Sequence, residues 1–271
     1  MLQILVPTDF SNNSYNALYY AAKLFKSKEC TFHLVNVCTS SAGNVSENEQ
    51  VESVQGLDAM AHRLVLDLGK NSNHQIKKVS LCHSVTKGIL GYAMEFPIDL
   101  MVIGNKAKEE GANILFGNNA MQLVREVNQC PVLIVPLEID FKPVEKIAFV
   151  SNYVNAIAEE NVRALLFFSN IMDSTLLPMS IEESKGTDSM AKHRAKFLKA
   201  ISKNLSKEVV LPVFQDKVST ILEFVELWNI DMLCMVYYQH HFFLEFIGKG
   251  IIKDLNTKLT VPFLILPDRP K

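Results

Sequence analysis

Short, continuously apolar runs alternate along this chain with longer stretches whose apolar residues recur every three or four positions. The runs near 2–6, 31–37, 77–82, 100–103 and 132–135 read as strands covered on both faces. Between them, 13–26, 50–70, 88–96 and 118–128 read as helices. Tyr15, Leu18, Ala22 and Phe25 form one apolar stripe, and Val54, Leu57, Ala61, Leu64 and Leu68 form another. Strand and helix in strict alternation predict right-handed crossovers and a doubly wound parallel sheet. Ligands of such sheets bind beyond the carboxyl ends of the strands, at the switch point of the strand order.

The same pattern occurs twice. Ile4–Phe10 aligns with Ile147–Tyr153 at a constant offset of 143 residues. The stretch from Ile89 to Gly104 aligns with Ile221 to Val236 at an offset of 132, sharing Ile-Leu at its start and Ile-Asp near its end. The closing 131-PVLIVP-136 pairs with 262-PFLILP-267 at an offset of 131. Three blocks in one order predict two related domains, 1–140 and 141–271, with the second shortened in its first half. The fifth strands, 132-VLIV-135 and 263-FLIL-266, are the expected seam of a pseudo-dimer, because apolar strand edges need a partner.

Composition narrows the function classes. The 271 residues are 48% hydrophobic and carry a formal charge of −2, from 27 basic and 29 acidic side chains. That balance offers no global attraction for a nucleic-acid backbone or an anionic membrane, and no apolar run is long enough to span a bilayer. The chain opens on MLQILVPTD without a basic leader, so no signal peptide is expected. The five cysteines, at 30, 38, 82, 130 and 234, include no CxxC pair. They argue against a disulfide framework and a four-thiolate zinc site, and a reducing cytoplasm is the expected compartment.

Three loops converge on the ligand edge of the first domain: 7-PTD-9, 36-NV-37 with the polar segment that follows strand 2, and 104-GNKAKEEGANILFGNNA-120. Asp9 reads either as a turn or cap residue, with Ser11 and Asn12 competing, or as a carboxylate facing a ligand or its metal. Asn152 stands at the equivalent place in the second domain, without the charge. Gly104 and Gly117 read either as loop-end glycines before an asparagine cap, or as a phosphate loop opening onto a helix N-terminus. His33 and His83 read as packing or surface residues. The adjacent His240 and His241 point apart in any regular element, which disfavours a metal pair. No nucleophile–base arrangement is identifiable.

Together, 6-VPTDFS-11, the glycine loop from 104 to 119 and 130-CPVLIVP-136, present as two copies of one βαβαβαβαβ unit, resemble the universal stress proteins. The resemblance covers essentially the whole chain and implies an adenine nucleotide alpha hydrolase-like α/β fold. It also implies a cytoplasmic stress-response role. One branch of that family binds ATP through G-x2-G-x9-G-(S/T), and another lacks the motif. By position, Gly104 and Gly117 match the first and third glycines, while Ala107 replaces the second and Asn118 the serine or threonine. The resemblance implies that Pro7, Thr8, Asp9 and Val37 line an adenosine. Ile103, Gly104, Ala107, Gly117, Asn118 and Asn119 would then hold ribose and phosphates. In the second domain aromatic bulk, 237-YYQHHFFLEF-246, stands where small residues belong, so no nucleotide is expected there.

The expected function is regulatory binding of ATP or AMP in the first domain, with Mg2+ if ATP. At most slow ATP hydrolysis is expected. A protein partner of unknown identity and a homodimer remain open. The competing reading is a nucleotide-free interaction scaffold, with Ala107 and Asn118 marking a degenerate loop.

Overall fold

A computed structural model describes residues 1–38, 47–105, 117–137, 139–182, 187–212, 216–238, 254–256 and 258–268. The chain divides into two compact units, Met1–Phe141 and Lys142–Lys271. The first contains β1 (Leu2–Thr8), α1 (Asn12–Leu24), β2 (Cys30–Cys38), α2 (Glu47–Leu68), β3 (His74–Cys82), α3 (Val85–Glu95), β4 (Leu100–Gly104), α4 (Gly117–Glu126) and β5 (Val132–Val135). Its strands are all parallel and run in the order β3-β2-β1-β4-β5. The order turns around between β1 and β4, and that is the switch point.

The second unit repeats the plan with β6 (Lys146–Val150), α5 (Glu159–Met172), β7 (Thr175–Glu182), α6 (Asp188–Ala200), β8 (Val209–Pro212), α7 (Lys217–Leu227), β9 (Met232–Tyr237) and β10 (Phe263–Pro267). Its strands are again parallel, in the order β8-β7-β6-β9-β10. The shortening falls in the second crossover. There α6 has 13 residues where α2 has 22, and β8 has 4 where β3 has 9.

The shared residues have matching structural jobs. Asp99 Oδ2 accepts the Gln3 N–H at 2.8 Å. Its counterpart Asp231 accepts the Glu145 and Lys146 N–H groups at 3.0 and 2.9 Å. The repeated Ile-Asp therefore caps the free start of the first strand in each unit, where backbone donors lack a ladder partner. Asn16 Nδ2 donates to the Pro136 carbonyl at 3.1 Å, and Asn161 Nδ2 to the Pro267 carbonyl at 2.9 Å. Each pair ties the first helix of a unit to the end of its last strand.

Two expectations are corrected. The buried face of α2 is Ser53, Leu57, Met60 and Leu64, whereas Val54 and Leu68 are 48% and 37% exposed. The helix is turned so that Ser53 Oγ donates to Asn36 Oδ1 at 2.7 Å, while Met60 Sδ accepts from Thr8 Oγ1 at 3.2 Å. Polar pairing, which a hydrophobic stripe does not reveal, sets its rotation. Nor is β3 covered on both faces. Lying at one end of its unit's strand order, it alternates between half-buried and exposed positions, with Lys77 and Lys78 outward, a common safeguard for an edge strand.

His33 is a core residue of the first unit, not a surface one. It is 3% exposed, with Nδ1 2.7 Å from the Tyr92 hydroxyl and Nε2 2.7 Å from Gln3 Oε1. The Gln3 oxygen only accepts, so the ring carries its proton on Nε2 and Nδ1 accepts from Tyr92. Burial, with Lys77 nearby, lowers the His33 pKa. The unfolded chain therefore takes up this proton first. The stability due to the neutral ring is complete above about pH 6.5 and is lost as pH falls toward the depressed folded value. Melting midpoints measured between pH 8 and 5 should fall in that direction, and less steeply in His33→Gln.

Candidate functional site

The carboxyl edge of the first unit is built on a turn that the second unit reproduces. At the end of β1, Thr8 Oγ1 accepts the Phe10 N–H at 2.9 Å, and Asp9 Oδ1 accepts the Ser11 N–H at 3.1 Å. Phe10 sits in the left-handed region, at φ 63°. Beyond β6, Ser151 Oγ accepts the Tyr153 N–H and Asn152 Oδ1 accepts the Val154 N–H, both at 3.1 Å, with Tyr153 at φ 57°. Hydroxyl and carboxyl or amide side chains fold the chain back on itself here, as is usual in such turns. Ser11 in turn caps α1 by accepting from the Ser14 N–H.

Asp9 is thus a turn residue that keeps a spare acceptor. Its Oδ1 takes both bonds from Ser11, the second from the hydroxyl at 2.5 Å. Oδ2 has no partner among the described residues. Asn152 makes the same turn with an amide, so the turn itself needs no charge.

The close of β4 meets the start of α1. A Cβ on Gly104 would lie 2.5 Å from the Asn13 carbonyl oxygen and 2.6 Å from Asn13 Oδ1. Only glycine allows this approach, so Gly104 has a packing reason as well as a possible ligand one. Asn13 is 8% exposed, and its Oδ1 is buried with no hydrogen-bond partner among the described residues. A buried amide oxygen left unpaired costs about 1–3 kcal/mol. It lies near the switch point, against the end of β4.

The expected site residues fall at that edge in part. Pro7, Thr8, Ile103 and Gly104 are buried at the ends of β1 and β4, and Asp9 and Val37 are half-buried. The Thr8 hydroxyl turns away toward α2, bonded to Ser14 Oγ at 2.9 Å and Met60 Sδ at 3.2 Å, which leaves little of Thr8 for a ligand. Val37 packs against Gly88 of α3, where an added Cβ would lie 3.3 Å from it. Gly117, Asn118 and Asn119 open α4. Ala107 lies outside the described residues, as do His240 and His241.

A second polar line runs beneath the edge on its α2 face. Asn36 Nδ2 donates to the Thr8 carbonyl at 2.7 Å, Ser53 Oγ to Asn36 Oδ1 at 2.7 Å, and Ser80 Oγ to Ser53 Oγ at 2.8 Å. A small pocket of about 230 Å³ opens there, lined by Phe10, Asn36, Cys38, Glu49, Glu52 and Ser53. Its two carboxylates make it unsuited to phosphate. A larger cavity of about 610 Å³, rimmed by Lys23, Lys26 and Lys70, lies at the other end of the strands and does not touch this edge. Asn13 escaped the sequence reading because nothing in one chain marks a polar residue as buried.

This arrangement defines a doubly wound α/β unit with a polar carboxyl edge. The profile of the Universal stress protein family matches residues 1–136, and the chain belongs to that family. Among solved structures, a universal stress protein from Archaeoglobus fulgidus DSM 4304 is similar over 98% of this chain and 96% of its own, with TM-score 0.67 and 14% identity. A Pseudomonas aeruginosa UCBPP-PA14 protein, described as a putative universal stress protein, is similar over 98% and 92%, with TM-score 0.61 and 13% identity. A universal stress protein in complex with cAMP covers 49% of this chain and 96% of its own, at TM-score 0.40 and 18% identity. No curated protein matches the sequence. At these identities the solved structures speak to fold alone. Among the described residues, no helix is long and apolar enough to cross a membrane and no three side chains group as metal ligands.

Proposed function

We propose that the first unit binds an adenine nucleotide, ATP or AMP, as a regulatory ligand at the edge formed by β1, β4 and the start of α4. The observation that carries this reading is Asp9. Asn152 builds the same turn without charge, so the carboxylate is surplus to the turn. Its Oδ2 is left to accept from a hydroxyl or amino donor, and the buried Asn13 Oδ1, unpaired among the described residues, would gain a partner if the edge opened around a ligand. Both suit a ribose or an adenine amino group. Phosphates would lie against the N-terminus of α4, where unpaired N–H groups favour anions. If the ligand is ATP, Mg2+ would be held chiefly by its phosphates. The second unit has a structural role, and the protein acts in the cytoplasm through a protein it contacts.

A scaffold without ligand is favoured by one observation: Gly104 is already explained by its approach to Asn13. Thermal melts with millimolar ATP or AMP, with and without Mg2+, separate the two readings. A raised melting midpoint is expected. Restoring the loop with Ala107→Gly and Asn118→Ser together should raise it further. No shift in either protein supports the scaffold.

A further inference from the structure

The chain carries a second reactive feature that nucleotide binding does not use. β2 and β3 end in register, with Cys38 directly opposite Cys82. Adjacent strands lie about 4.7–4.9 Å apart, within the roughly 4.4–6.8 Å that a disulfide spans between Cα atoms. Cys82 is exposed, whereas Cys38 is 7% exposed, with Sγ 3.5 Å from Ser80 Oγ and 3.7 Å from the Glu49 carbonyl. The remaining cysteines, Cys30, Cys130 and Cys234, are buried. Burial pushes the Cys30 thiol up to about 11 and that of Cys234 higher still. One thiol is therefore open to solvent, and its neighbour across the strands is placed to resolve whatever it captures.

We propose that Cys38 and Cys82 form a reversible dithiol–disulfide site that takes low-molecular-weight disulfides as its oxidant. The Cys82 thiolate attacks one sulfur of the small disulfide, breaks its S–S bond and releases one small thiol. The mixed disulfide on Cys82 is then attacked by Cys38, whose proton leaves with the second small thiol. One protein S–S bond has formed, and the small disulfide has been reduced by two electrons. Desolvation by its neighbours, the Cys38 thiol and Glu49 together hold the Cys82 pKa above its ordinary value. Capture is consequently slow at neutral pH, as suits a group that responds to sustained oxidation rather than turning over. Closing the bond removes the Cys38 contact to Ser80, the far end of the polar line through Ser53 and Asn36 to the Thr8 carbonyl.

The test uses the full-length reduced chain, glutathione disulfide as oxidant, acid quenching, alkylation and peptide mass mapping, with no nucleotide present. Wild type should lose two hydrogen atoms in a Cys38–Cys82 cross-linked peptide pair, restored by dithiothreitol, without accumulating glutathione adduct. Cys38→Ser should stop at a stable glutathione adduct on Cys82, at least tenfold more abundant than in wild type. Cys82→Ser should form neither product. A stable Cys82 adduct in wild type, a cross-link between two chains, or no reaction at all would each overturn the proposal. None of these outcomes depends on whether the protein binds a nucleotide.

Discussion

Gly104→Ala should destabilise the first unit by about 2–3 kcal/mol, at the upper end of the cost of overpacking. The added methyl would lie 2.5 Å from a backbone oxygen of Asn13 and 2.6 Å from its side-chain oxygen. Backbone can yield only by shifting α1 against β4. For a unit of this size the melting midpoint should fall by roughly 6–12 °C. Asn13→Ala in the same chain should recover only part of the loss, because the carbonyl oxygen stays in place. Gly91→Ala is the matched control. Gly91 is an exposed α3 residue whose added Cβ would meet nothing within 4 Å, so this change should stabilise by about 0.5–1 kcal/mol through the better helix propensity of alanine. Equal effects at the two glycines would refute the close approach of α1 to β4.

Asp9→Asn should separate folding from binding. Asn152 already shows an amide making this turn, so the melting midpoint without ligand should stay within the range of a change of about 0.5 kcal/mol. Nucleotide affinity should fall about ten- to a hundredfold, because a hydrogen bond to a charged acceptor contributes about 1.5–3 kcal/mol. A variant that loses stability and affinity together would make Asp9 a folding residue only. Isothermal denaturation in urea and ligand-induced melting shifts measure the two quantities independently.

The doubly wound order was legible because each strand is a short apolar run and each crossover helix has helical periodicity. The repeat was legible for a deeper reason. Asp99 and Asp231 cap strand starts, and Phe10 and Tyr153 occupy the same left-handed position. Residues with fixed backbone duties keep their spacing. What stayed hidden depends on three-dimensional register. The rotation of α2 follows hydrogen bonds to Asn36 and Thr8, which outweigh its Val54–Leu68 stripe. Burial of His33 follows from Tyr92 and Gln3, distant in the chain. The Cys38–Cys82 pair exists only because β2 and β3 end level. Asp9 was legible as a choice between turn and ligand, and the structure gives it a turn with one oxygen left over.

The most direct measurement is calorimetric titration of the purified chain with ATP and Mg2+, followed by AMP, up to millimolar concentration. Saturable binding of one nucleotide per chain, weakened at least tenfold in Asp9→Asn and unchanged in Asn152→Ala, is the predicted result. No binding at millimolar nucleotide in a chain purified free of bound nucleotide, or binding indifferent to Asp9→Asn, would contradict it.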